Sequence, residues 1–522
     1  MSTPDVSVVL AVYNTMPYLT RCLTSLMEQT IGWERLEVIA VDDGSTDGSG
    51  KELDRFARLY PGTVKVFHQA NSGGPAVPSN RGLEHATGRY VFFVGADDYL
   101  GLEALERLVS AADRYGSDVV LGKLVGVNSR NIDQAIYARN ETDIDLFNSA
   151  LPWALSNTKL FRRELIERHK IRYPEDMPVG SDQPFTIEAC LRAKRISVLA
   201  DYEYYYAVRR LNARNITYRS RHEERLRCAE SIMDFVAELI EPGPRRDAVL
   251  VRHFSWEVAR LLEDNFLSQE RVVQERVQAG VRRLADCYLT DRIRARLPVE
   301  ARIRLLLAQQ GTLDDLLAVI RQDAEHGTPP TLIEGDRWYA VYPGFRAGRP
   351  VLPDDSFDVT DAAAEWLARL DVTSIVWRSH GRDRVLVVKA RSPRADLARL
   401  CSDSLSVRAG EVPGEVVSLT AGEDGTIVEF QLPVLRMIAE VPVGGGIWAV
   451  RAQVTALGST GVAPVRSPRK LSASRQLIRR GARLYVVTPA TSHRGQLVIS
   501  VVPVTPRRVM ARLKRGWRHG GK

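Results

Sequence analysis

The chain has 522 residues, 44% apolar and 26% charged, a balance typical of soluble domains and a length too great for a single core. Its five cysteines (Cys22, Cys190, Cys228, Cys287, Cys401) are odd in number and nowhere spaced as CxxC, which argues against structural zinc or a disulfide framework and for buried free thiols. The net charge of +8 is local: the last sixteen residues, RRVMARLKRGWRHGGK, carry seven Lys or Arg and no acid, leaving one net positive charge elsewhere.

The N-terminal MSTPDVSVVLAVY holds a seven-residue apolar run behind Asp5, too short for a signal peptide or a membrane span. No other window nears the roughly 18 apolar residues of a span. The expected location is cytoplasmic, with at most peripheral contact to the inner membrane face. Strand-like runs follow at Val6 to Val12, Glu37 to Val41, Val64 to Phe67, Tyr90 to Val94 and Asp118 to Leu121, alternating with helical patterns. Between the first two, Tyr18, Leu19, Cys22, Leu23, Leu26 and Met27 recur at helical spacing, with Pro17 near the start. Such alternation predicts a largely parallel sheet with crossover helices, whose ligands bind beyond the carboxyl ends of the strands. From about 219 to 328 the pattern turns helical (RHEERLRCAESIMDFVAELI, HFSWEVARLLEDNFL). After GTPP come seven β-like runs, RWYAVY, TSIVWRS, RVLVVKA, TIVEFQL, IWAVRAQV, RLYVVT and QLVISVVPV, predicting one or two β-sandwich modules.

Three loops carry candidate chemistry. VDDGSTDGSG places Asp42 and Asp43 at a strand end, suited to a base or ribose, although Asp43, Ser45, Thr46 and Asp47 equally suit a turn and helix cap. HQANSGGPAVPSNRG contributes Asn71, and Asn80 ahead of a helical stretch from Leu83 to Ala86; it suits either a diphosphate-side loop or a plain connection, and has neither GxGxxG nor GxxxxGK[ST]. VGADDYL ends a buried strand on Asp97 and Asp98, which need a cation or hydrogen-bond donors. A divalent ion shared with substrate phosphates meets that need, and so does a cap on the helix near Leu102.

VSVVLAVYNTMPYLTRCLTSLMEQT, VIAVDDGSTDGS, NSGGPAVPSNRGLEHATGRYVFFVGADDYL and NTKLFRRELIERHKIRYPEDMPVGSDQPFTIEACLRAKRISVLADYEYYY together resemble the family 2 glycosyltransferases of the GT-A fold, over roughly residues 5 to 218. The resemblance implies a catalytic domain at 1–218 that binds a nucleotide-sugar, most simply a UDP-sugar. Ala11, Tyr13, Asp42 and Asp43 would lie around base and ribose, and Asn71, Asn80 and Ala96 along the donor. The acidic DxD motif falls on Gly95, Ala96 and Asp97, so Asp97, with Asp98 beside it, would hold Mn²⁺ or Mg²⁺. Gly95 replaces the motif's first acid, which should weaken metal binding, and Ser79 replaces a usual Arg. In GSDQPF the catalytic base falls on Asp182, which also suits the start of a helix. YEYYYAVRR, with Arg209 and Arg210, reads as a donor cover with phosphate-binding arginines or as a half-buried strand with a solvated end.

A helical region (219–328), β modules (329–505, immunoglobulin-like) and a basic tail (506–522) complete the expected plan, which resembles the bacterial enzymes that decorate wall teichoic acids. That resemblance implies an anionic glycopolymer acceptor and a homo-oligomer formed through the C-terminal part. RSPRKLSASRQLIRRGAR and the tail suit a polyanion or an anionic membrane surface, or are solubilising. Neither shows a nucleic-acid reader motif. The competing functions are a weakened GT-A sugar- or nucleotide-binding scaffold and a nucleotidyltransferase.

Overall fold

The structure, a computed structural model, describes residues 3–504 except 129, 211–220, 328, 348–349, 381–382, 395–396, 399–403, 423–424, 442–444, 457, 469–472 and 493–494. Cys401, the basic tail and the end of the predicted catalytic segment lie outside the described residues. Two compact units form, Met1–His326 and Gly327–Lys522. The predicted helical region therefore packs with the catalytic segment rather than standing apart.

The first unit opens with β1 (Val6–Val12), α1 (Tyr18–Met27), β2 (Leu36–Asp43), α2 (Ser49–Leu59), β3 (Val64–Gln69), α3 (Ala76–Glu84) and β4 (Tyr90–Phe93). It continues through β5 (Tyr99–Leu100), α4 (Ala104–Tyr115), β6 (Val119–Gly122), β7 (Leu124–Val127), β8 (Glu141–Ile144), β9 (Leu160–Arg162), α5 (Arg163–His169), α6 (Asp182–Arg192), β10 (Ile196–Leu199) and β11 (Tyr205–Val208). The main sheet runs β3-β2-β1-β4-β9-β6-β10-β8, and β5-β11-β7 forms a smaller one. β1 is parallel to both β2 and β4, whereas β9 is antiparallel to β4 and β6. After β1 the chain builds outward through β2 and β3, then returns to β4 on the other side. The strand order thus reverses at β1 and β4, and a ligand crevice is expected beyond their carboxyl ends.

All five predicted strands are present, but β2 extends through Asp42 and Asp43, which pair with His68 and Gln69 of β3. The two acids are strand residues, not loop residues. Helix α3 starts earlier than the periodicity suggested, so Asn80 lies inside it; Pro78 falls in its first turn, where a missing N–H breaks no helical bond. Asp98 caps nothing, since α4 begins at Ala104. Cys22, Cys190 and Cys228 are buried as expected, but Cys287, on the solvent face of a helix, is exposed.

The helical region comprises α7 (His222–Leu239), α8 (Pro244–His253), α9 (Arg271–Tyr288), α10 (Asp291–Arg294), α11 (Val299–Gln310) and α12 (Leu313–His326). HFSWEVARLLEDNFL, expected as a long helical stretch, is a π turn at Phe254–Val258 followed by short 3₁₀ turns. The second unit is mainly antiparallel β, and each of its seven predicted runs coincides with a strand. Among the described residues no helix is long and apolar enough to cross a membrane.

Candidate active site

The loops beyond β1, β2 and β4 meet as the strand order requires. Beyond β1, Tyr13 is 49% exposed, and Asn14 is fixed by its N–H on Ser45 Oγ (3.0 Å) and its side-chain oxygen on the Thr46 N–H (2.8 Å). Asp42 is buried, accepting from Ser45 N–H (3.0 Å) and paired with His68 Nδ1 (2.9 Å). Asp43, also buried, accepts from Gln69 Nε2 (2.6 Å), Ser72 N (3.0 Å) and Ser72 Oγ (2.9 Å), while Asn71 donates to its carbonyl (3.0 Å). The carboxylate at the end of β2 thereby shapes the loop after β3.

The short loop after β4 explains its glycine. Asp98 is buried and turned inward: its Oδ2 accepts from Tyr205 Oη (2.6 Å), its Oδ1 from Val208 N–H (2.7 Å), and the same Tyr205 oxygen accepts the Gly95 N–H (2.9 Å). A Cβ at position 95 would lie 2.7 Å from Asp98 Oδ2. The space of the missing acid is therefore filled by the carboxylate of Asp98, whose pKa is pushed up by burial and by the neighbouring charge of Asp97. Asp98, expected beside Asp97 on a metal, is instead occupied in tying β4 to β11. Asp97 receives Arg210 Nε at 2.7 Å, and Arg210 Nη1 also reaches the Asn14 carbonyl (3.1 Å), linking the ends of β1, β4 and β11. Arg209 is exposed, and Arg210 meets the acidic loop through Asp97.

Asp182 is the first residue of α6. The helix is anchored from below by Phe185, stacked on Tyr173 (4.4 Å) and edge-on to Phe93 and Phe161 (5.3 and 5.4 Å), so the sheet core fixes where its first turn points. Burial raises the Asp182 pKa, against the opposing pull of its own N–H, Lys159 and Arg252. Lys159 is itself buried, donates to the Ala154 and Ser156 carbonyls, and has its pKa lowered to about 8 by burial. Asn80, expected on the donor, spends its amide on Tyr173 backbone groups and Glu175 Oε1, all at 2.9 Å. It clips α3 to the segment that leads into α6. Between them opens a cavity of about 200 Å³ lined by Ser72 to Gly74, Ala76, Val77, Glu175, Asp176 and Pro178. The predicted donor loop and the turn before the predicted base thus face one another across it. Tyr205, Lys159 and Glu175 were missed in the sequence; only the Tyr205 cluster of aromatics gave any signal.

The glycosyl transferase family 2 profile matches residues 7–170, which span the loops after β1, β2, β3 and β4 and end before Asp182. Residues 7–170 therefore match a family 2 glycosyltransferase domain. A second profile, the glycosyl transferase TarS linker domain, matches 224–320. A poly(ribitol-phosphate) beta-glucosyltransferase of Bacillus spizizenii is 41% identical over 205 residues, 39% of this chain and 32% of the relative. The match thus spans about a third of that relative's length. A crystal structure of Staphylococcus aureus TarS residues 1–349 with UDP-GlcNAc is 29% identical, with a TM-score of 0.56, covering 65% of this chain and 97% of that one. The S. aureus TarS crystal structure shares the fold over 97% of this chain and 86% of its own, with a TM-score of 0.60 at 23% identity. The GT-A-like sheet, the helical region and the sheet-rich C-terminal part are therefore similar in fold to those of TarS.

Proposed function

We propose that the chain is an inverting glycosyltransferase that moves a sugar from a UDP-sugar to a hydroxyl of an anionic, ribitol-phosphate-type wall polymer. The observation that supports this reading is a cavity walled on one side by Glu175, Asp176 and Pro178, a few residues before Asp182 at the start of α6, and on the other by Ser72 to Gly74, Ala76 and Val77, from the loop after β3 and the start of α3. The activity of the similar poly(ribitol-phosphate) glucosyltransferase and the UDP-GlcNAc complex of the similar TarS fragment support the substrate classes.

In this mechanism the acceptor hydroxyl gives its proton to Asp182 as its oxygen bonds the anomeric carbon. On the opposite face the bond from that carbon to the diphosphate oxygen breaks, and the electron pair leaves with UDP. General-base assistance of this kind is worth roughly 10²–10⁴-fold. Among the described residues no cluster of three or more His, Cys, Asp or Glu could cage a metal. A Mg²⁺ or Mn²⁺ ion does not require one, because it binds through one or two carboxylates plus substrate phosphates; Asp97 fits as that carboxylate. Such an ion would neutralise charge on the departing diphosphate. Arg210 holds Asp97 in place and offers a second positive group at the same loop. Asp43 shapes the donor loop, and Tyr13 and Ala11 border the nucleotide end. The β-rich unit and its basic segments would hold the polyanion, support self-association and draw the enzyme to the inner membrane face.

The test is release of UDP from UDP-glucose and UDP-GlcNAc, with and without poly(ribitol phosphate), by the wild type and Asp182→Asn. Silence from every donor in a folded, UDP-binding protein would favour the scaffold function; pyrophosphate release from a nucleoside triphosphate would favour the nucleotidyltransferase.

A further inference from the structure

The residue after Asp182 is Gln183, and its side chain does not serve the sheet. Gln183 Nε2 donates to Glu257 Oε1 (3.2 Å), while Arg252 Nη1 donates both to Gln183 Oε1 (2.6 Å) and to Glu257 Oε1 (2.7 Å). The three groups close a ring in which two belong to the helical region. Arg252 lies near the end of α8, and Glu257 lies in the π turn that follows it. Residues five apart fall on different faces of an α-helix; the wider π turn returns Glu257 to the side of Arg252, which is a physical reason for an irregular turn at this place. The pair is shielded from solvent, with side-chain exposures of 13% and 24%, so neither charge is a simple surface ion. Two residues before the base, Gly180 has φ +76°, and a Cβ there would sit 3.2 Å from Gln183 Nε2 and 3.4 Å from Ile232 Cδ1 of α7. The turn carrying Asp182 is thus seated against α7 and α8.

We propose that Arg252 and Glu257 of the helical region are positioning residues for the base: by clamping Gln183 they fix the first turn of α6, and their opposed charges set the electrostatic balance at Asp182. This rests on the reading of Asp182 as the base. The groups that bear on Asp182 are Lys159 from the segment before β9, the Tyr173 hydroxyl from the segment before α6, Cys190 further along α6 through Lys159, and Arg252 with Glu257 from the helical region; His253 faces Glu257. Arg252 favours the charged carboxylate, and Glu257 opposes it. Glu257 stays ionised: burial pushes its pKa up, but Arg252, His253 and the Gln183 bond outweigh that and hold it below the ordinary value. Removing one member therefore leaves the other unbalanced beside the base.

The experiment measures kcat, donor KM and the pH profile of UDP release for the full chain as wild type, Glu257→Gln, Arg252→Gln, Gln183→Leu and Asp182→Asn, with melting and UDP binding as folding controls. Glu257→Gln should lower kcat about tenfold with donor KM within about twofold, and should move the acid limb of the profile to lower pH. Arg252→Gln should move that limb to higher pH. Gln183→Leu, which cuts the clamp but removes neither charge, should lower kcat and leave the limb in place. If Arg252→Gln does not fold, the paired Arg252→Gln/Glu257→Gln variant replaces it, and its limb should return toward the wild-type position. Acid limbs that stay at the wild-type pH in Glu257→Gln and in the Arg252 variant that folds, with Asp182→Asn inactive, would overturn the inference alone. Full activity in Asp182→Asn would instead overturn the assignment of the base.

Discussion

Restoring a side chain at position 95 should harm the protein. A Cβ there meets Asp98 Oδ2 at 2.7 Å and Asp97 Oδ1 at 3.3 Å, and contacts under 3.0 Å require something to move. Asp98 cannot yield freely, because its two oxygens are held by Tyr205 Oη at 2.6 Å and Val208 N–H at 2.7 Å. Overpacking a well-filled site costs roughly 1–3 kcal/mol, and loosening the Tyr205 bond adds about 1 kcal/mol, so Gly95→Ala should destabilise by about 3 kcal/mol. In a unit of this size that corresponds to roughly 4 °C. Calorimetry of the full chain, following the transition that UDP raises, reads this directly. In an Asp98→Ala background the contact disappears, and the same substitution should cost about 1–2 kcal/mol less, which a double-mutant cycle measures as coupling. Gly95→Asp, which rebuilds the family motif, should not tighten Mn²⁺ binding. A neutral Gly95→Ala, or an equal cost in both backgrounds, would refute the idea that Asp98 occupies the space of the missing acid.

Asp182→Asn should reduce turnover by about 10²–10⁴-fold while UDP still binds, read by UDP release and by titration calorimetry. Because burial raises the Asp182 pKa and the base acts deprotonated, kcat/KM should fall with decreasing pH at a higher pH than for an ordinary aspartate; a limb near the free-aspartate value of about 4 would count against the buried base. The same sign makes this carboxyl's contribution to stability greatest when protonated and smaller as pH rises through its folded pKa. Asp43→Ala should unfix the loop after β3, costing about 1–3 kcal/mol and weakening UDP binding more than it weakens the folded sheet, seen as a melting shift that UDP no longer fully offsets.

The sequence by itself determined the element types, because each depends on short-range pattern: alternation gave the β runs, helical spacing gave α1, and turn residues marked where strands stop. It also singled out Asp97 and Asp182 as candidates, through the order of motifs along the chain. What it could not decide is which oxygen faces which partner. Asp42 and Asp43 look like loop acids until pairing with β3 draws them into β2. Asp98 looks equivalent to Asp97 until β11, more than a hundred residues later, brings Tyr205 and Val208 to it. Asn80 looks like a donor contact until the segment at Tyr173 and Glu175 claims its amide. The support of Asp182 by Arg252 and Glu257 depends on a π turn that no periodicity signals. Hydrogen bonds between distant segments are set by the return of the chain, and only the tertiary structure shows that the glycine at 95 leaves room for a carboxylate already there.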